Sequence, residues 1–123
     1  MLADPVQLRT LIAKLRAEGH RGAWLALLTQ MLTVTGGKGS LISHEERPWA
    51  SATFAGSRQR FTLEFEGEDP IAGGEALIAQ LPDHEFAVPG HLVADAAVVS
   101  VEHSLTGIPR MLIECDILLL SGD

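Results

Sequence analysis

AVVSVEHSLTGIPRMLIECDILLL, residues 97–120, is the stretch whose reading decides the fold. Two runs of period two flank a turn. In the first, Ala97, Val99, Val101, His103 and Leu105 fall on one face and Ser100, Glu102 and Ser104 on the other. Thr106-Gly107-Ile108-Pro109 supplies the turn. In the second run, Met111, Ile113, Cys115, Ile117 and Leu119 oppose Arg110, Leu112, Glu114 and Asp116. Such alternation marks an antiparallel hairpin with one buried face. The second strand ends Ile117-Leu118-Leu119-Leu120, apolar on both faces, which predicts cover on both sides, by helix or by another subunit.

Upstream, the period lengthens to that of a helix. Asp69-Pro70 is a helix start, Ile71, Leu77, Ile78 and Leu81 form one stripe, and Pro82 is the stop. Gly73 and Gly74 lie inside this helix, at a cost of about 1 kcal/mol each relative to alanine. Close packing against the sheet is the expected compensation, and approach of the backbone to a ligand is the alternative. Before it, Phe61, Leu63 and Phe65 alternate with Arg60, Thr62, Glu64 and Glu66, after a turn placed at Gly56-Ser57. Ala50, Ala52 and Phe54, alternating with Ser51 and Thr53, form the strand that enters this turn, with Pro48 as an interruption. The N-terminal segment reads as two helices. Asp4-Pro5 opens one with Leu8, Leu11, Ile12 and Leu15 on its stripe and Gly19 as its end. A second, from about Arg21 to Leu32, carries Trp24, Leu27, Leu28, Met31 and Leu32, and Gly36-Gly37 breaks it.

The expected object is a single domain over residues 1–123. Residues 1–34 form a helical segment, 40–66 a first hairpin, 69–82 a helix and 96–120 a second hairpin. This is a two-layer α+β fold, with an antiparallel sheet of four or five strands and helices on one face. No internal repeat is visible in the sequence.

Composition bounds the function. The 46% apolar and 20% charged residues are ordinary for a globular chain. The net charge of −7 is unevenly placed: residues 1–63 hold eight Lys/Arg against four acids, net +4, and residues 64–123 hold twelve acids against Arg110, net −11. The two parts can attract each other within one fold or between molecules. A pI near 5.1 argues against nucleic acid as a partner. The apolar run Ala23–Leu28 is too short to span a bilayer, and Asp4 and Glu18 occupy positions where a secretory signal needs basic residues. With Cys115 alone there is no internal disulfide, so a soluble, cytoplasmic protein is expected.

Candidate chemistry is sparse. Thr35-Gly36-Gly37-Lys38-Gly39-Ser40 resembles a phosphate loop only superficially. Leu32 stands where the first glycine belongs and Gly39 where the hydroxyl residue belongs, so a connector is expected, with an anion nest as the alternative. Asp83-His84-Glu85 with His91 and Asp95 offers imidazole and carboxylate groups; His84, His91 and Asp95 are the metal-ligand alternative to a plain polar loop, and with His103 they are the ligand-binding candidates. Pairing of His103 with Cys115 across the hairpin would suit a nucleophile, against which stands the ordinary inertness of a buried thiol. No nucleophile elbow, zinc helix or dinucleotide fingerprint is present.

Two readings follow. The first is a non-enzymatic association module that forms a homodimer. Its interface candidates are Leu112, Glu114, Asp116, Leu118 and Leu120, on an acidic face that would also suit a basic protein partner. It needs no cofactor and no membrane, and if charge drives it, assembly weakens with salt. The second is a small-molecule or metal-binding domain, or an enzyme, whose pocket between helices and sheet is supplied by His44, His84, His91, His103 and Asp95.

Overall fold

The computed structural model describes residues 22–121. The helix expected from Asp4 to Gly19 lies outside the described residues. Within them, the order is α1 (Ala23–Val34), β1 (Ser40–Ala50), β2 (Ala55–Glu66), α2 (Glu68–Gln80), a 3-10 turn (Leu81–Asp83), β3 (His91–Ser104) and β4 (Arg110–Ser121). The strands make one antiparallel sheet in the order β1-β2-β4-β3. The fold is α+β, with four strands rather than five among the described residues and the helices against one face. It is also doubled: each half is a helix followed by a hairpin, and the two halves meet where β2 pairs with β4. The sequence hides this because the helix-to-strand connectors differ, Thr35–Gly39 in one half and a stretch carrying the 3-10 turn in the other.

The core lies between the helices and the inner face of the central strands. Phe61, Leu63 and Phe65 of β2 and Ile113, Cys115 and Ile117 of β4 have essentially no exposure, and Leu27, Met31 and Leu77 close over them from the helices. Burial of each such side chain contributes about 1.5–3 kcal/mol. Burial also pushes the Cys115 thiol up to about 12, with the neighbouring Glu114 charge adding to the shift.

Local chemistry sets the element ends. Gly36 and Gly37 are both left-handed (φ 76° and 79°), and their N–H groups donate to Thr33 and Leu32 carbonyls at 3.0 and 2.7 Å. This is the reciprocal pair of bonds that closes a helix with a glycine after its cap. Helix α2 starts earlier than Asp69-Pro70 suggests. Gly67 is its cap (φ 102°), and Glu68 and Asp69 sit in the first turn, where carboxylates complement the helix dipole. Gly74 explains itself by packing: a Cβ there would stand 3.0 Å from the Phe65 ring and 3.2 Å from Ile113. Gly73 faces α1 instead, against the carbonyl of Thr35. Sheet packing therefore accounts for one glycine and helix-to-helix contact for the other.

Two sequence expectations are corrected. The first hairpin turns at Ser51–Phe54, not at Gly56-Ser57. The Ser51 hydroxyl accepts from the Thr53 and Phe54 N–H groups at 3.3 and 3.0 Å, which makes the turn locally. Pro48 does not interrupt β1, because β1 is an edge strand where its missing N–H costs no ladder bond. Gly56 is instead a strand residue lying tight against the Leu119 backbone.

The second correction concerns β3, which begins at His91 and carries irregularities between Val93 and Asp95 and between Val98 and Ser100. An inserted residue reverses the faces on either side of it. Val98, Ala96 and Val93 consequently face the helices, and Ala97 does not. Beyond the second bulge the helix-facing positions Val101 and His103 are exposed, as are Val99 and Leu105, because β3 is an edge strand and its tip lies outside the helix cover.

Candidate functional site

The densest polar arrangement on the helix side centres on Gln59, which is 1% exposed on an otherwise apolar face. Its amide nitrogen donates to the Glu46 carboxylate at 2.8 Å and to the Ser57 hydroxyl at 2.7 Å. Its carbonyl accepts from His44 Nε2 at 2.6 Å. The His44 ring is stacked between Trp24 (centroids 4.5 Å apart) and Phe61 (4.8 Å). The Gln59 carbonyl, which can only accept, therefore holds a proton on His44 Nε2. Among the described residues no nucleophile lies in hydrogen-bond contact with His44, and the arrangement fixes β1 and the start of α1 in place. Sequence reading passed over Gln59. A glutamine at an inward position, between Ser57 and Phe61, was the available signal.

The loop histidines do not converge. His84 ends the 3-10 turn and lies edge-on to Phe86, centroids 4.6 Å apart. His91 opens β3 on the helix side, where Nδ1 donates to the Pro89 carbonyl at 3.0 Å and the ring borders an apolar groove with Leu25, Ala26 and Val88. Asp95 pairs with Leu118 and faces the open side of the sheet. His91 and Asp95 thus stand on opposite faces, and among the described residues no three His, Cys, Asp or Glu gather as a metal site. The loop is instead clamped by Gln30, whose side chain both donates to the Ala87 carbonyl (2.7 Å) and accepts from its N–H (3.0 Å).

His103 and Cys115 share a face but are not neighbours. His103 is opposite Met111 and Cys115 is opposite Val98, so the expected diagonal contact does not exist. The thiol is buried, and its raised pKa keeps it protonated near neutrality. The glycine connector is no anion nest either: the N–H groups of Gly36, Gly37 and Lys38 are consumed by Thr33, Leu32 and the Thr35 hydroxyl.

The five interface candidates fall on the open face of β4, a central strand. Leu112 and Leu118 are half-buried and Leu120 is buried. The acids there are answered from within. Asp116 takes Arg58 and Arg60, Glu114 takes Arg60 and the Ser100 hydroxyl, and Glu64 takes Arg110. Lys38 pairs with Asp69 as well. Apart from Arg110–Glu64, each of these ion pairs joins a base of residues 1–63 to an acid of residues 64–123. The charge split of the sequence is spent, in this part of the molecule, on holding the two halves together.

Apolar exposure lies elsewhere. Of the seven large exposed hydrophobic residues among the described ones, Leu92, Val99, Val101, Leu105 and Ile108 belong to β3 or the turn that follows it. The two sheet edges differ. In β1, Glu45-Glu46-Arg47-Pro48 blunts the edge with charge and proline. In β3, Asp95 and Glu102 are the only Asp, Glu, Lys or Arg, there is no proline, and Ser100–Ser104 runs without a bulge.

Comparison of the chain with protein-family models, with curated proteins and with solved structures finds no match. Among the described residues no helix is long and apolar enough to cross a membrane.

Proposed function

We propose that the protein is a non-enzymatic association module and that a second copy of the same chain adds to it along β3. The observation that carries this reading is the concentration of exposed apolar side chains on an edge strand that has two separated acids and no proline, where the opposite edge has a charged run ending in proline. An open strand edge presents unpaired backbone groups, which form a template for another strand. A second β3 fits that template best. Antiparallel pairing about Val101 sets Val101 against its own copy, brings Val99 opposite His103, and places Glu102 across from Ser100 rather than from another acid. A two-fold pairing of this kind closes on itself. A cytoplasmic setting belongs to the same proposal and rests on the single, buried thiol.

Because the ion pairs of the described residues are made inside the subunit, an association along β3 is expected to be nearly insensitive to salt. The test is native mass spectrometry with light scattering at low and high salt. We expect a dimer that Val101→Lys converts to monomer, while Ile42→Lys on β1 leaves it intact. A monomer in the unmodified protein at micromolar concentration rejects the reading, as does a dimer that survives Val101→Lys.

A further inference from the structure

The β1–β2 register sets Arg47 directly opposite Arg58, and Glu45 opposite Arg60, on the open face of the sheet. Like charges directly opposite in a ladder destabilise it. Three guanidinium groups thus crowd two adjacent rungs, and the acids nearby hold them loosely. Asp116 is 3.4 Å from both Arg58 and Arg60, well beyond the roughly 2.7–2.9 Å of a strong charge-assisted bond. Glu114 stands 3.7 Å from Arg60. Arg60 Nε is buried and finds no acceptor among the described residues. Arg47 makes no ion pair among them. Together with Glu45 and Asp116, the three arginines line a cavity of about 80 Å³.

We propose that this cavity is a binding site for a small carboxylate. A guanidinium offers a planar fork of donors that matches a carboxylate two bonds at a time. Arg47 and Arg58 supply the forks from two paired strands, and Arg60 lines the cavity beside them. The ligand removes the repulsion between Arg47 and Arg58 by placing one negative charge between them. The wall settles the charge of the guest. Glu45 and Asp116 already line the cavity, so a dianion such as phosphate would set its second charge against them, while a monoanion would not. The volume fits the carboxylate head of a short acid of the acetate or propionate class. The site is independent of the β3 edge, which lies at the far side of the sheet.

The test is nuclear magnetic resonance on the full chain, reading the Arg Nε–H signals during titration with acetate, propionate, phosphate and, at matched ionic strength, chloride. Acetate and propionate are expected to shift the Arg47 and Arg58 Nε–H signals saturably in the millimolar range, and phosphate to bind more weakly. Arg47→Gln is expected to weaken the carboxylate at least tenfold. The same variant removes a like-charge pair on an exposed edge strand, so its urea midpoint is expected to equal or exceed that of the parent, which keeps the binding result interpretable. Three outcomes overturn the proposal: no saturable shift with either acid, an equal shift with chloride, or carboxylate binding unchanged in Arg47→Gln. Tighter binding of phosphate than of acetate overturns it also, because the wall acids then do not select charge.

Discussion

Replacing Gln59 by leucine tests how the helix side is held together. Leucine keeps the volume and removes every hydrogen bond that Gln59 makes to His44, Glu46 and Ser57. The His44 Nε2–H, on a ring stacked against both Trp24 and Phe61, loses its acceptor among the described residues, at about 1–3 kcal/mol. Glu46 is exposed and Ser57 only half-buried, so water replaces their bonds and each adds about 0.5–1 kcal/mol. The extra apolar surface of leucine returns about 1 kcal/mol. The net expectation is a loss of about 2 kcal/mol, or about 8 °C in Tm for a chain of this size. Urea unfolding followed by far-ultraviolet circular dichroism measures it, and a cycle with His44→Phe isolates the pair. Phenylalanine preserves the stack on Trp24 and Phe61 but cannot donate. A coupling of about 1 kcal/mol or more is expected between the two positions. Gln59→Leu within about 0.5 kcal/mol of the parent, or a coupling near zero, refutes the claim that the bond from His44 stabilises the fold.

Further predictions follow from individual contacts. Between pH 9.0, the ordinary value for a thiol, and about 12, the unfolded chain ionises Cys115 while the folded one keeps it neutral. Stability is therefore expected to fall across that window by up to about 1.4 kcal/mol per pH unit relative to Cys115→Val, measured by urea midpoints, and the native thiol is expected to resist alkylation at neutral pH. Gln30→Ala should free the loop before β3, raising hydrogen exchange at the Ala87 amide at least tenfold while leaving α1 and the sheet protected. Gly73→Ala improves helix propensity by about 1 kcal/mol, yet drives a methyl group into the Thr35 carbonyl; a net destabilisation of about 1–2 kcal/mol is expected in thermal unfolding.

Much of the architecture was legible because period and punctuation agreed. Met111 to Leu119 reads as one buried face, and it is one. Phe61, Leu63 and Phe65 read the same way, and the glycine pairs at 36–37 and 73–74 mark a helix end and a close approach. The losses have physical causes. The alternation from Ala97 to Leu105 looks continuous, but a bulge at Val98–Ser100 interrupts it, and bulges leave no mark in a pattern of apolar residues. The turn at Ser51–Phe54 rests on one hydroxyl, whereas Gly56 announces itself and is only a close contact. The Arg47–Arg58 opposition was invisible because it depends on register, and register is set by pairing across the sheet. His84, His91 and Asp95 were singled out by residue type in a loop, and residue type does not say which face of a strand a side chain takes; alternation did put His103 on the face of Cys115, but not at what distance along the strand.

Gly67 alone separates β2 from α2, and its N–H donates to the Pro109 carbonyl in the turn of the second hairpin. The peptide bonds around it are all that makes one molecule of two helix-plus-hairpin pieces. Divided there, the chain would yield fragments of net +2 (residues 1–66) and −9 (residues 67–123), each carrying one side of the β2–β4 ladder. Opposite charge would speed their encounter, and the rungs from Gly56–Leu120 to Glu66–Arg110 would fix their alignment. The chain is in this sense a tethered heterodimer. A nick at Gly67 would turn a folding reaction into a bimolecular one, whose rate answers to ionic strength and whose midpoint answers to concentration.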